Sequence, residues 1–299
     1  MNLKQETRRP QNLHIIPRKM DFDFAASLRN SCYWNDNNAV SAHFINALQD
    51  TFPEGERFFM DAARQAAKIL HQKGLLDQEL EQDLQAFSMQ EASHGWLHHK
   101  WSQALIESGY ARLADYGDQL HRAHLWLNRY LPVKMRLSIT SAAEHYTASI
   151  AYMLVHIKPG LITQSTSPFK DMLLYHAMEE LEHKSVCFDL YQKLSGNYLL
   201  RLFGLLFITV DLSTLVFMRY HYLMQKDGLW DVRHRKLAWH FLFGPNGLIK
   251  SMWPRIKSYM KRSFHPWQTD DRHEMESAFG DFIRTLEIVP FEYSSGPPE

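Results

Sequence analysis

Apolar residues recur at steps of three and four along most of this chain, and no stretch alternates Val, Ile or Thr with polar residues over the length of a strand. The pattern predicts helices over 37–51, 54–72, 77–108, 132–156 and 169–195, and with them an all-α fold. The punctuation agrees. Gly74 closes one helix, Pro132 occupies the first turn of another and Pro159-Gly160 ends it; Ser167-Pro168 supplies an N-cap and an N1 proline, and Gly196 closes the last. The 157–168 linker is polar and breaker-rich, while 109–131 holds an extra helical stretch containing Trp126 that lengthens a crossover.

Past Gly196 the pattern changes. Leu202 to Met218 is almost wholly apolar between Arg201 and Arg219, and a stretch rich in Trp, Arg and Lys follows, from Trp230 to Trp267. A run of 17 residues sits at the lower limit of the roughly 17–25 that span a bilayer, and Asp211 at its middle opposes lipid burial. A helix packed on the bundle is therefore the first expectation, and an interfacial element with Trp and Lys/Arg at lipid headgroups the second. The expected organisation is an N-terminal arm over 1–36, a di-metal helical bundle over 37–196, and a C-terminal helical extension over 197–299 packing on it.

With 299 residues, 45% of them hydrophobic, the chain can bury a large core. Its 33 basic and 33 acidic side chains cancel, which argues against a nucleic-acid partner. Only Cys32 and Cys187 are present, and the first twenty residues carry Arg8, Arg9, Arg18 and Lys19 without an apolar signal core. A cytoplasmic setting is expected, peripheral to the inner face of the membrane if the extension meets lipid. Whether a homodimer forms is left open.

The chemistry lies in two Glu-x-x-His segments, Glu91-Ala-Ser-His94 and Glu180-Leu-Glu-His183, each preceded by a lone helical glutamate, Glu56 and Glu144. A three-residue helical step puts carboxylate and imidazole on one face, about 5–6 Å apart at Cβ. One Glu plus one Glu-x-x-His from each helix pair is how a four-helix bundle holds two metal ions. Chance alone gives about one Glu-x-x-His at this composition, so context carries the weight. Both segments sit among apolar residues such as Phe87, Met89 and Leu97, or Leu173, Met178 and Leu181, where an unpaired carboxylate is costly. Glu144 lies among Ser and Ala residues that leave room for a cluster; pairing with a cation is its structural alternative. Glu56 is preferred to Glu54, whose charge suits a first helical turn. His176, four residues before Glu180, shares its stripe. His98 is a supporting, substrate-facing or solvated group, and Glu179 a carboxylate able to orient His183. Glu182, His99 and His145 read as exposed or structural, and Cys187 as a small core residue. Trp96, Trp101, Tyr146 and Tyr175 are core or cavity wall.

At these residues the chain resembles the ferritin-like di-metal carboxylate superfamily, a ferritin-like four-helix bundle here carrying additional helices. The ligand set resembles that of the di-iron arylamine N-oxygenases, whose last helix carries His-x-x-x-Glu-x-x-His, here His176, Glu180 and His183. The resemblance implies that Glu56, Glu91, His94, Glu144, His176, Glu180 and His183 are metal ligands, with Glu91 and Glu180 as bridging, catalytic carboxylates. Together with Phe-Pro-x-Gly-Glu-x-Phe-Phe at 52–59 and Phe-His-Pro-Trp at 264–267, the whole chain looks like a bacterial family described as predicted metal-dependent hydrolases.

Imidazole and carboxylate donors suit iron or manganese better than thiolate-preferring zinc, so two iron ions are expected. The expected activity is a non-haem di-iron oxygenase or oxidase acting with O2 on a small organic or lipid-like substrate. It would draw electrons from a ferredoxin or flavin reductase. The alternative is a hydrolase with a metal-activated water, and a third reading is iron binding without catalysis.

Overall fold

Four helices that each bury at least one glutamate form the centre of the molecule, which a computed structural model describes for residues 10, 13–29, 31–271, 277, 280–282 and 284–288. In chain order the helices are α1 (Phe24–Leu28), α2 (Ala39–Gln49), α3 (Phe52–Gln72), α4 (Gln78–Glu107), α5 (Arg112–Tyr130), α6 (Val133–Tyr152), α7 (Gly160–Thr163), α8 (Phe169–His183), α9 (Val186–Leu194), α10 (Tyr198–Lys226), α11 (Val232–Phe243) and α12 (Leu248–Tyr259). A π-helical turn, Met153–Ile157, continues α6. Two-residue strands β1 (Arg18–Lys19) and β2 (Glu287–Ile288) pair antiparallel. The fold is all-α, as the periodicity predicts.

The pair α3–α4 packs against α6 and the α8–α9 segment to make the bundle. α6 is its axis. Ser138, Ser141, Ala142, Ala143, Ala148, Ser149 and Ala151 are all buried along it, and these small side chains let α3, α8, α9, α10 and α12 close around it. Side-chain caps set several starts: Asn38 for α2, Asp77 for α4, Asn197 for α10 and Asp231 for α11. At α8 the expected Ser167 cap is not formed; Pro168 itself stands at the N-cap with no side-chain hydrogen bond.

Two further elements differ from the sequence pattern. The expected 169–195 helix breaks after His183, where the Lys184 ammonium turns inward onto the Asp271 carboxylate at 2.7 Å and lies 4.1 Å from the Trp267 ring centre. The apolar 202–218 run is only half covered. One face of α10 packs on α6 and α2, while Leu206, Val210 and Phe217 on the other face are 58–63% exposed. By length and hydropathy, α10 is the one described helix able to cross a membrane, with a mean hydropathy of 1.9 over its apolar window. It nevertheless carries a buried Arg219–Asp50 ion pair at 2.7 Å. The segment before α2 is packed rather than loose: α1 lies on α4, and Phe22, Phe24 and Leu28 join the core.

The α6–α10 contact is close because of one glycine. A Cβ at Gly204 would lie 2.4 Å from the backbone oxygen and hydroxyl of Ser138, whereas one at Gly117 in α5 would meet nothing within 4 Å. Gly204→Ala is expected to destabilise the protein by about 1–3 kcal/mol through overpacking. Gly117→Ala is expected to stabilise it by about 0.5–1 kcal/mol through helix entropy. Chemical denaturation of the two variants checks both signs.

Candidate metal centre

The four bundle helices each deliver part of one cluster. Glu56 comes from α3, Glu91 and His94 from α4, Glu144 from α6, and His176, Glu180 and His183 from α8; all seven are buried. The i, i+3 and i, i+4 spacings align each helix's donors on its inner stripe. Gly95 makes space beside them, since a Cβ there would stand 3.3 Å from Glu56 Oε2.

Three overlapping groups place their donor atoms within 4.8 Å of one another: Glu56, His94 and His176; Glu91, His94 and Glu180; and Glu91, Glu144 and His183. His176 Nε2 is 2.8 Å from Glu180 Oε1 and 3.8 Å from Glu56 Oε1. His94 Nδ1 is 3.5 Å from Glu91 Oε1 and 3.9 Å from Glu180 Oε1. His183 Nε2 faces three carboxylates at once, Glu91 at 3.3 Å, Glu144 at 3.4 Å and Glu180 at 3.5 Å. Glu91 and Glu180 thus lie between a Glu56/His94/His176 end and a Glu144/His183 end.

The inward atoms lack protein partners. Both carboxylate oxygens of Glu56 and of Glu91, one each of Glu144 and Glu180, Nδ1 of His94 and Nε2 of His183 make no hydrogen bond. Orphaned polar atoms are rare in protein interiors, and here they converge on one another. The electrostatics match. Burial pushes Glu91 and Glu144 up to about 8, and the neighbouring carboxylates add to it. Glu56 is raised well above the usual carboxylate range by burial and by Glu91 and Glu180. Burial also raises Glu180, but the His183 and His176 imidazoles outweigh it and hold that carboxyl well below its usual value. For His183 burial alone would lower the imidazole; Glu180, Glu144 and Glu91 overcome it and raise it well above normal. Four carboxylates outnumber the imidazoles that could balance them, and hard divalent cations suit these oxygen and imidazole donors. The residues fit bound divalent metal.

The outer contacts were only partly legible. Glu179 lies beside a histidine, but it is His94, whose Nε2 stands 2.9 Å from Glu179 Oε2 without hydrogen-bond geometry, and not His183. The partner of His183 is Gln90, whose Oε1 accepts from Nδ1 at 2.9 Å. A carbonyl oxygen only accepts, so Nδ1 carries a proton and Nε2 is the nitrogen that faces the carboxylates. Both contacts lead to one cation. Arg18 donates to both oxygens of Glu182 at 2.6 and 2.9 Å and to Glu179 at 3.4 Å, while Gln90 donates to Glu182 at 3.0 Å. Arg18 and Gln90 escape a reading by motif because their partners are distant in sequence.

The other named residues separate cleanly. Glu54 stays at the rim, accepting from His121 at 2.8 Å. His98 is buried, 3.1 Å from His176 Nδ1 through its Nε2. His99 is exposed, and His145 is buried, stacking on Tyr259 and bonding the Arg255 carbonyl. Cys187 is buried in the core. Beside the cluster opens a cavity of about 410 Å³ whose inner end is lined by His98, His176 and Glu180. Its wall is apolar and includes Phe44, Phe52, Leu154 and Leu212. Of the four candidate wall aromatics, only Tyr146 lines it. Trp96 is exposed, Trp101 packs on Phe24, Trp34 and Phe169, and Tyr175 bonds Ser93 and sits edge-on to His94.

Glu144→Ala and His183→Ala are each expected to lower bound metal well below the wild-type content by elemental analysis. Glu54→Ala, which removes only the contacts to His121 and Arg57, is expected to leave it unchanged. Gln90→Leu removes the acceptor from His183 and is expected to weaken metal binding by about 10–100-fold in chelator competition. Metal-free protein should also respond to pH in one direction above neutrality. The folded-state values of Glu91 and Glu144, at about 8, exceed the unfolded carboxylate value, and that of His183 exceeds the unfolded imidazole value. His98, His176, His124 and His145, all lowered by burial, act the other way at lower pH but are neutral in both states above about pH 7; there the folded form binds more protons than the unfolded one, and apo stability is lost as pH rises from about 7 to 8. Urea titrations across that window check the sign, and a flat or rising profile contradicts it.

No curated protein and no solved structure matches the chain. A family model described as "Predicted metal-dependent hydrolase" matches residues 16–270, a span that takes in all seven clustered side chains and the cavity. The chain belongs to this predicted metal-dependent hydrolase family.

Proposed function

We propose that this protein is a ferritin-like di-iron oxygenase or oxidase acting on an apolar organic substrate. The observation that supports it is the donor set: four carboxylates and three imidazoles, buried together with their inward atoms unpartnered. Glu56, His94 and His176 would hold one ion, Glu144 and His183 the other, with Glu91 and Glu180 shared. Four carboxylates balance two divalent ions, and an electron-rich, neutral set of this kind favours oxidation of the ions over strong Lewis acidity. Iron bound there would supply O2 activation, with manganese as the other metal that suits these donors.

The chain's own part is binding, water exclusion and proton handling. The cavity wall is mostly apolar outside His98, His176 and Glu180, so an apolar substrate would displace water as it approaches the centre. Burial and the His176 and His94 imidazoles hold His98 well below its usual value, so it stands neutral. With Nε2 occupied by His176, its unpartnered Nδ1 is the atom free to exchange a proton with a substrate. Reducing equivalents would come from a separate ferredoxin or flavin reductase.

The family description favours a second reading, hydrolysis. The same donors would then hold ions that lower the pKa of a bound water for attack on an ester or amide. One pair of measurements separates them. Under oxygenase chemistry, the anaerobically reduced protein gives a transient visible absorption band on mixing with O2 and consumes O2 with an apolar substrate. Ester cleavage with manganese or zinc that proceeds equally without air overturns that reading in favour of hydrolysis. Iron loading with neither activity overturns both and leaves iron binding.

A further inference from the structure

We propose that the mouth of the cavity is a membrane-docking face through which a lipid acyl chain passes from the bilayer to the metal centre. The proposal rests on the reading of the cluster as a metal site and adds to it the substrate class and its route. Three apolar side chains belong both to the cavity wall and to the surface: Phe217 of α10, Phe243 at the end of α11 and Ile249 of α12, 58%, 49% and 48% exposed. A soluble protein gains nothing by wetting such groups together, and exposed apolar clusters of this kind mark binding faces. Trp239 extends the rim, its ring centre 4.4 Å from that of Phe243, and Trp253 follows one turn after Ile249; both are more than half exposed. Exposed Trp beside an apolar patch is the composition of a membrane interface.

Charge names the partner. From Gly228 to Trp267 the chain carries eight Lys/Arg against a single acidic residue, Asp231, although the whole chain is neutral. Arg233, Arg235, Lys236, Lys250 and Lys257 are exposed on the two helices that form the rim. Anionic headgroups complement this face. A second copy does not, because a two-fold contact would set the same basic segments against one another. Crossing the bilayer does not fit either, since Asp211 stands mid-helix in α10 and one face of that helix is covered by α2 and α6. Inward from the rim the wall is mostly apolar, its uncharged polar groups including Gln49, Tyr146, Thr147 and Ser213, so an acyl chain meets its first buried carboxylate, Glu180, at the centre.

The test uses the full-length, metal-loaded protein. Sedimentation with vesicles of phosphatidylcholine plus phosphatidylglycerol is expected to show at least about tenfold tighter binding than with phosphatidylcholine alone, weakened by salt. The double variant Trp239→Ser/Ile249→Ser is expected to lose about tenfold, while Trp126→Ser, on the exposed face of α5, is expected to change nothing. Oleate, displacing a fluorescent fatty acid, is expected to bind the wild type. Ser213→Trp, which fills the exposed mouth one turn before Phe217, is expected to weaken it at least about tenfold. Absence of vesicle binding, equal binding by the rim variant, or oleate affinity indifferent to Ser213→Trp overturns the proposal. Self-association of the wild type that the rim variant abolishes, without lipid binding, also overturns it and assigns the face to a second copy. Elemental analysis of the same samples keeps the two readings apart. Wild-type metal content without vesicle binding sinks docking alone, and vesicle and oleate binding without metal sinks the metal site alone.

Discussion

A carboxylate carried into a protein interior loses its hydration, and an effective penalty of several kcal/mol per ion remains even after relaxation. This protein does it four times in one place, with Glu56, Glu91, Glu144 and Glu180 all buried. Against a total folding stability of about 5–15 kcal/mol, four ionised and unpaired carboxylates would be untenable. The raised values of Glu56, Glu91 and Glu144 describe how the bare cluster responds, by holding protons. Two divalent cations would do the same work at neutral pH without protonation. The helical core, the small-residue lining of α6 and the glycine beside Glu56 all serve to let these side chains converge.

The bundle supplies the donors, but it does not aim them alone. Arg18, from a segment that precedes the first bundle helix, touches Glu179 and Glu182, and through them reaches His94 and, by way of Gln90, His183. A guanidinium suits this position because its planar fork satisfies two carboxylates in fixed geometry, which a lysine ammonium does not. The proton on His183 Nδ1 at one end of the cluster and the carboxylate beside His94 at the other are both linked to one buried cation. In this way residues 13–29, apolar through Phe22 and Phe24 and cationic through Arg18, become part of the site's support.

What the sequence disclosed follows from what is local. Helical period, i, i+3 donor pairs and the preference for Glu56 over Glu54 are properties of one turn or two, and the structure brings all seven of those side chains into one buried cluster. The partners of the histidines are not local: Gln90 lies 93 residues from His183, so no spacing rule connects them. Glu179 illustrates the limit. Its position one turn from His183 suggested that pairing, yet on α8 it projects toward α4 and meets His94. Aromatic walls are equally opaque, because Trp101 and Tyr146 have similar surroundings in sequence and differ only in which neighbouring helix covers them. The open face of α10 was hidden for the same reason: hydropathy measures the helix and says nothing about how much of it the bundle has room to cover.

The cavity reaches the cluster from one side only, which makes the two ends of the centre unequal. His176, Glu180 and His98 line it, whereas Glu144 and His183 do not. At that second end Phe87 stands edge-on to His183, with ring centres 5.0 Å apart, in a core shared with Cys187 and Leu190. The π-helical turn contributes to the opening, since Met153 and Leu154 line the wall where α6 widens. Such turns recur at functional sites because one extra residue shifts the helix face without ending the helix. A molecule held in this cavity would meet His176 and Glu180 first, with Glu144 and His183 lying beyond the carboxylates of Glu91 and Glu180. The asymmetry is set by which helices had neighbours, and it gives two chemically similar groups of donors different access to the same molecule.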